Sequence, residues 1–215
     1  MEEVQRIGKA LKLVEQYEDY LFRRAWGMTF IALGLLAPLN ALLILNADSI
    51  ASVLAMGTEA FTSLASIIIA LTIVAVTLYL FTSATVVLSR RRKFSFSREM
   101  PHAFAISLTW FVCLNLTRFV PERFTAVSWL WATGCASLLS YIILWKVQVH
   151  TRFRELYVTG LSLLIASLPI AFVTEAAIAE PVSLTVFSVA FVAGGLYSIL
   201  TASRILGEGE KEVQS

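Results

Sequence analysis

Apolar and polar residues run in long alternating blocks along this chain, and their spacing predicts its elements. Residues 1–21 place Val4, Ile7, Leu11, Val14 and Leu21 on one a/d-type stripe, interrupted by Glu18. Glu2, Glu3, Arg6, Lys9, Lys12, Glu15 and Asp19 fall on the opposite face. The pattern predicts an amphipathic helix. Its mixed charge favours packing on protein, either a second copy or a partner, over lying on anionic lipid, which selects Lys and Arg alone. Six apolar blocks follow, at about 25–45, 61–88, 102–120, 124–145, 156–174 and 182–203. Each is long enough to serve as a membrane-crossing helix. Residues 47–59 are expected to form a loop or short surface helix, and Pro101 suits the first turn of the third span. Glu175–Pro181 reads as a short turn, and the polar tail at 205–215 is expected to be irregular from Gly207.

Composition agrees with that reading. The chain of 215 residues is 58% hydrophobic and 15% charged, with a mean hydropathy of +0.76. Soluble domains run near half apolar and about a quarter charged. The expected fold is an all-α integral membrane bundle: a cytoplasmic helix (1–21), one six-span domain of three hairpins (22–204) and a polar tail (205–215). The first apolar block is too long for a signal-peptide core and lies behind some twenty residues of charged helix.

Charge orients the bundle. The run Arg90-Arg91-Arg92-Lys93 between the second and third blocks cannot enter hydrocarbon, and basic loops are retained on the cytoplasmic side. With that loop inside, fifteen of the 17 basic residues fall inside, and only Arg118 and Arg123 fall outside. Asp48, Glu59, Glu122, Glu175 and Glu180 mark the outer turns. Both ends are then expected in the cytoplasm, in a protein of the cell membrane. A net charge of +2 gives no footing for nucleic acid.

Helices in lipid associate through close contact of small residues. Two i, i+4 ladders supply it: Ser128, Ala132, Ala136 and Ser140 on the fourth span, and Ala190, Gly194, Ser198 and Ala202 on the sixth. Ala105, Thr109, Cys113 and Thr117 form a shorter one, and Gly27 and Gly34 can seat a further helix on the first span. Cys113 and Cys135 fall at different depths and are not expected to pair. Phe22-Arg23, Trp26, Leu33 and Pro38 align without gaps to Phe153-Arg154, Tyr157, Leu164 and Pro169. That is an echo too short to establish a repeat.

Candidate chemistry is sparse. Apart from His102 at the first position of the third block, no Asp, Glu, Lys or His falls within the six blocks, which argues against proton-coupled transport. His102 and His150 lack ligand-spaced neighbours, so no metal or cofactor is expected, and no catalytic motif occurs. The polar binding candidates are Asn40, Tyr79, Asn115 and Arg118; each also suits a structural hydrogen bond or pairing. The outer carboxylates gather into a cation site only if their turns converge. The leading expectation is a non-catalytic subunit that assembles with itself, or with a membrane or cytosolic partner, through residues 4–21. The alternative is a small-molecule permease or channel subunit. An intramembrane enzyme would need Tyr79, Asn115 or Arg118 to converge on one pocket with a group supplied by a partner. Six spans behind an amphipathic helix resemble the layout of ABC-2 type permeases, which implies transport. The likeness stops at Glu175–Pro181, too short for the re-entrant segment which that family carries before its last span.

Overall fold

The computed structural model describes residues 2–88, 96–146 and 153–214, and the basic run Arg90–Lys93 lies outside them. Among the described residues there are seven α-helices: α1 (Glu2–Leu45), α2 (Ala47–Val53), α3 (Thr58–Leu88), α4 (Phe96–Leu116), α5 (Thr125–Lys146), α6 (Arg154–Ile170) and α7 (Ala176–Gln214). Single 3-10 turns at Thr117–Phe119 and Glu122–Phe124 join α4 to α5 across Pro121. Four stretches are long and apolar enough to cross a membrane: Ile7–Leu45, Thr58–Leu80, Glu122–Lys146 and Ala176–Arg204.

α1 is one unbroken helix of 44 residues rather than an amphipathic segment followed by a separate span. Between Tyr20 and Trp26 lie only Leu, Phe, Arg, Arg and Ala, with no glycine or proline to stop it. At 1.5 Å per residue it reaches ~66 Å, about twice the hydrocarbon thickness. α7 extends well past the expected limits at both ends. Ile178 and Ala179 donate their backbone N–H groups to Glu175 O at 3.0 and 2.9 Å, so the helix begins ahead of Pro181 and carries that proline inside. At its far end the helix continues to Gln214, where a tail rich in Glu and Lys, good helix formers, outweighs Gly207 and Gly209. Pro101 likewise lies inside α4, not in its first turn. α6 stops at Ile170, four residues short of the expected limit. Pro169 precedes a tightening in which Phe172 N–H bonds Pro169 O at 3.2 Å and Val173 N–H bonds Ile170 O at 2.9 Å.

The packing order runs α3, α1, α7, α6, α5, α4, with α5 also touching α7. α1 against α7 is the most extensive contact. It closes where glycines face each other: a Cβ on Gly27 would lie 2.6 Å from Gly195 O, and one on Gly195 would lie 2.7 Å from Ile31 Cγ1. α5 and α6 repeat the device, with a Cβ on Gly134 at 3.1 Å from Gly160 O and one on Gly160 at 2.9 Å from Gly134 O. Both i, i+4 ladders lie on these faces. Ser128, Ala132, Ala136, Ser140, Ala190, Gly194, Ser198 and Ala202 are all buried. On α4, Trp110 Nε1 donates to Ser140 Oγ at 3.1 Å, and Cys113 packs on Ala132 and Ala136. Cys113 and Cys135 are free thiols.

Aromatic rings fill the axis of the bundle. Trp129 lies 5.1 Å from Phe187, Phe187 stacks on Phe191 at 4.3 Å, and Phe191 stacks on Phe30 at 5.1 Å. Trp26 continues the column 5.4 Å from Phe30, and Phe153 meets both Trp26 and Phe22 edge-on, at 5.5 and 5.4 Å. Each pair contributes ~0.5–1.5 kcal/mol beyond the area it buries. Phe22 and Phe153, equivalent in the short internal alignment, thus touch at one end of this column.

Candidate functional site

Three places carry polar or accessible features. At the end of the column nearest Trp129, α1, α5 and α7 enclose a pocket of about 490 Å³. Ala37, Pro38 and Ala41, with Ile44 and Leu45 beyond them, form its α1 wall, Trp129 stands on α5, and Phe187 and Glu180 come from α7. Small side chains on α1 leave the room, and the buried Pro38 lacks the N–H that would bond Gly34 O, which loosens the helix there. The lining is apolar apart from Thr125 and the half-buried Glu180. Its volume lies within the ~300–1,000 Å³ range of small-molecule sites, and walls of this kind hold hydrocarbon better than water.

At the opposite end of the column lies Glu155, the second residue of α6, which the sequence reading passed over. It is 1% exposed, and its Oε1 has no hydrogen-bond partner among the described residues. It directly precedes the fifth apolar block. Arg23 on α1 is near enough to act on this carboxyl electrostatically. At the level of Arg23, α1 and α7 are tied together: Ser198 Oγ on α7 donates to Arg23 O at 3.0 Å. Thr159, fully buried one turn further along α6, lies 3.5 Å from Ala190 O. In sequence, Glu155 follows Arg152 and Arg154 and reads as part of a basic loop. The one signal that could have flagged it is the cluster Phe22, Trp26 and Phe153, three aromatics able to cover a first helical turn.

The third place is the free length of α1. Ile7, Leu11, Val14 and Tyr17 are 58%, 49%, 37% and 46% exposed along one stripe. Tyr17 and Tyr20 stack at 6.1 Å, and Arg24 donates to Tyr20 Oη at 3.4 Å, so the polar side is tied internally while the stripe faces outward.

The four polar candidates do not share a site. Asn40 on α1 accepts from Ser66 Oγ on α3 at 3.4 Å, a bridge between helices. Tyr79 stands on α3, 73% exposed. Asn115 Nδ2 donates to Phe111 O of its own helix at 2.8 Å, and Arg118 is exposed in the turn after α4. α3 packs on α1 and α2, whereas α4 packs on α5. Of the outer carboxylates, Glu180 alone lines the pocket, and among the described residues no three His, Cys, Asp or Glu side chains gather at metal-binding distance.

Together these features define an all-α protein with four long apolar helices of membrane-crossing character, an apolar pocket at one end and a buried acid at the other. Comparison with known protein families, with curated proteins and with solved structures finds no match.

Proposed function

We propose that this chain is a non-catalytic membrane subunit of six spans, with both ends cytoplasmic, that self-associates through residues 4–21. The observation that carries the reading is the continuity of α1. A helix running straight out of a span cannot lay its apolar stripe on the bilayer surface without bending, and α1 has no break near residues 20–26. The exposed stripe therefore serves a partner in the aqueous phase. Copies of one chain sit in a membrane the same way round, so neighbouring α1 helices run parallel. Gly8 and Ala10 beside the seam are uncharged, and Glu18, within it, is the position where two copies would bring like charges together.

The two remaining crossings are assigned to α4 and α6. α4 is 21 residues long, ~31 Å, and the 17 residues of α6 reach ~26 Å. The second is short for a ~30 Å core, a mismatch that local thinning accommodates at modest cost. Both lie in the packing order beside membrane-length helices, and the even number of crossings follows from the sorted basic residues. A permease would call for a continuous polar cavity at mid-depth, and the pocket here is apolar and at one end.

The test is disulfide trapping in native membranes, using the full chain with Cys113 and Cys135 replaced by alanine. Val14→Cys, on the seam, is expected to cross-link to a second copy, whereas Lys9→Cys, exposed on the opposite face, is not. Leu11→Asp is expected to abolish the cross-link at position 14. Equal trapping at both positions, or none at either, refutes self-association. Finding Lys93 and Lys146 on opposite sides of the membrane by labelling refutes the topology.

A further inference from the structure

We propose that the pocket among α1, α5 and α7 holds one acyl chain of an aminophospholipid, with the lipid's primary ammonium group on Glu180. The proposal extends beyond the assembly reading and rests only on these helices lying in a bilayer. The walls are apolar and the volume, about 490 Å³, suits a chain rather than a whole lipid. Ala37 and Ala41 keep the α1 wall shallow, while Trp129 and Phe187, 5.1 Å apart, give it an aromatic floor. Glu180 is the one charged residue among the lining, and it stands in the second turn of α7, at the end of the bundle. A carboxylate there selects the head group by charge. A primary ammonium donates hydrogen bonds to it, and a quaternary ammonium of the same charge has none to donate.

The flank suits the rest of that head group. Arg123 lies two residues before Thr125 of the lining, with its guanidinium held 4.5 Å over the ring of Phe124. Arg123 thus stands next in the chain to the pocket wall, as the cation offered to a lipid phosphate beside an ammonium on Glu180. A lone fatty acid, carrying only negative charge, would meet Glu180 unfavourably. A neutral apolar molecule would leave Glu180 without a partner. The zwitterion with a donor head satisfies both charges.

The test reconstitutes the full-length protein in bilayers containing equal amounts of phosphatidylethanolamine and phosphatidylcholine with matched acyl chains. Retained lipid is then counted by native mass spectrometry. The wild type is expected to keep the ethanolamine lipid about fivefold over the choline lipid, the ratio set by a charge-assisted hydrogen bond at a half-exposed site. Glu180→Gln is expected to bring that ratio to about one while total retained lipid stays the same. Ala41→Trp, which fills the pocket, is expected to lose both lipids. Should Ala41→Trp fail to fold, a second measurement decides. Phosphatidylethanolamine brominated along its chain is expected to quench wild-type emission more than that of Trp129→Phe, which lacks the reporter in the wall. Equal retention of the two lipids, a preference that survives Glu180→Gln, stronger retention of phosphatidylglycerol, or quenching indifferent to Trp129 would each overturn the proposal. None of these outcomes bears on cross-linking at position 14, so the two readings fail separately.

Discussion

Substituting Gly27 with alanine tests whether α1 and α7 depend on direct backbone contact. The added methyl would sit 2.6 Å from Gly195 O, 2.8 Å from Ile199 Cγ1 and 3.2 Å from Ser198 Cβ. The isoleucine tip can turn aside, but the carbonyl oxygen belongs to a helix backbone and cannot. Ordinary contact begins at 3.4 Å, so the axes must part by roughly 0.8 Å, the difference between 3.4 and 2.6. A gap of that size forfeits a quarter to a half of each dispersion contact along the interface. It would also stretch the hydrogen bond from Ser198 Oγ to Arg23 O, now 3.0 Å, past its useful range. Overpacking of this kind costs ~1–3 kcal/mol, and the gain in helix propensity returns at most ~1. The expected net loss is about 2 kcal/mol.

The chain supplies its own controls. Gly8 lies on the same helix with nothing within 4 Å of its absent side chain, so Gly8→Ala is expected to be neutral or stabilising by up to ~1 kcal/mol. Gly134→Ala falls between the two, because its nearest neighbour, at 2.9 Å, is the Cγ of the flexible Leu164 side chain. Thermal unfolding in mild detergent, followed by size-exclusion chromatography, ranks the three. The expected order of destabilisation is Gly27, then Gly134, then Gly8. Gly27→Ala and Gly8→Ala unfolding at the same temperature would refute the claim that backbone approach holds α1 on α7.

Two further outcomes follow from single buried groups. Glu155 is 1% exposed and its Oε1 has no hydrogen-bond partner among the described residues, so Glu155→Gln, of the same shape and uncharged, is expected to unfold no earlier than wild type in thermal unfolding, and a clear loss of stability would count against a desolvated acid there. Ser140→Ala removes the acceptor of Trp110 Nε1 and is expected to cost ~1–2 kcal/mol, with a changed near-ultraviolet circular dichroism band, whereas no spectral change would mean the indole is solvated.

Much of this arrangement was legible in the sequence because membrane packing obeys local rules. The i, i+4 spacing of Ser128 to Ser140 and of Ala190 to Ala202 selects one face of a helix, and a small-residue face is a buried face wherever lipid offers no competing hydrophobic force. The limits of α3 and α5 were legible for a similar reason, since polar residues bracket them. What stayed hidden depended on more than one element. Nothing local says whether Arg23-Arg24 ends a helix or rides through it, and α1 rides through. Glu155 sits among basic residues in sequence, and its burial appears only once α1, α6 and α7 are packed together. The pocket needs Ala37 and Ala41, Trp129 and Glu180 to meet from three helices, a convergence no single window of sequence encodes.

The aromatic column explains why the two ends of the bundle differ. From Phe22 to Phe187 the rings touch in sequence, each 4.3 to 5.5 Å from the next, and close-packed rings resist compression. α1 and α7 are joined along that length by facing glycines and by the bond from Ser198, so they form one stiff unit. A stiff unit cannot open in its middle, and space can arise only where the column ends. Beyond Phe187 α1 presents Ala37 and Ala41 ahead of Ile44 and Leu45, and a buried proline removes a backbone bond; there the pocket opens. At the Phe22 end, two residues beyond Phe153, lies the buried Glu155. Glu180 and Glu155 thus stand at opposite ends of the column, while the other buried polar groups among the described residues are hydroxyls, Ser137, Thr159 and Ser198 among them.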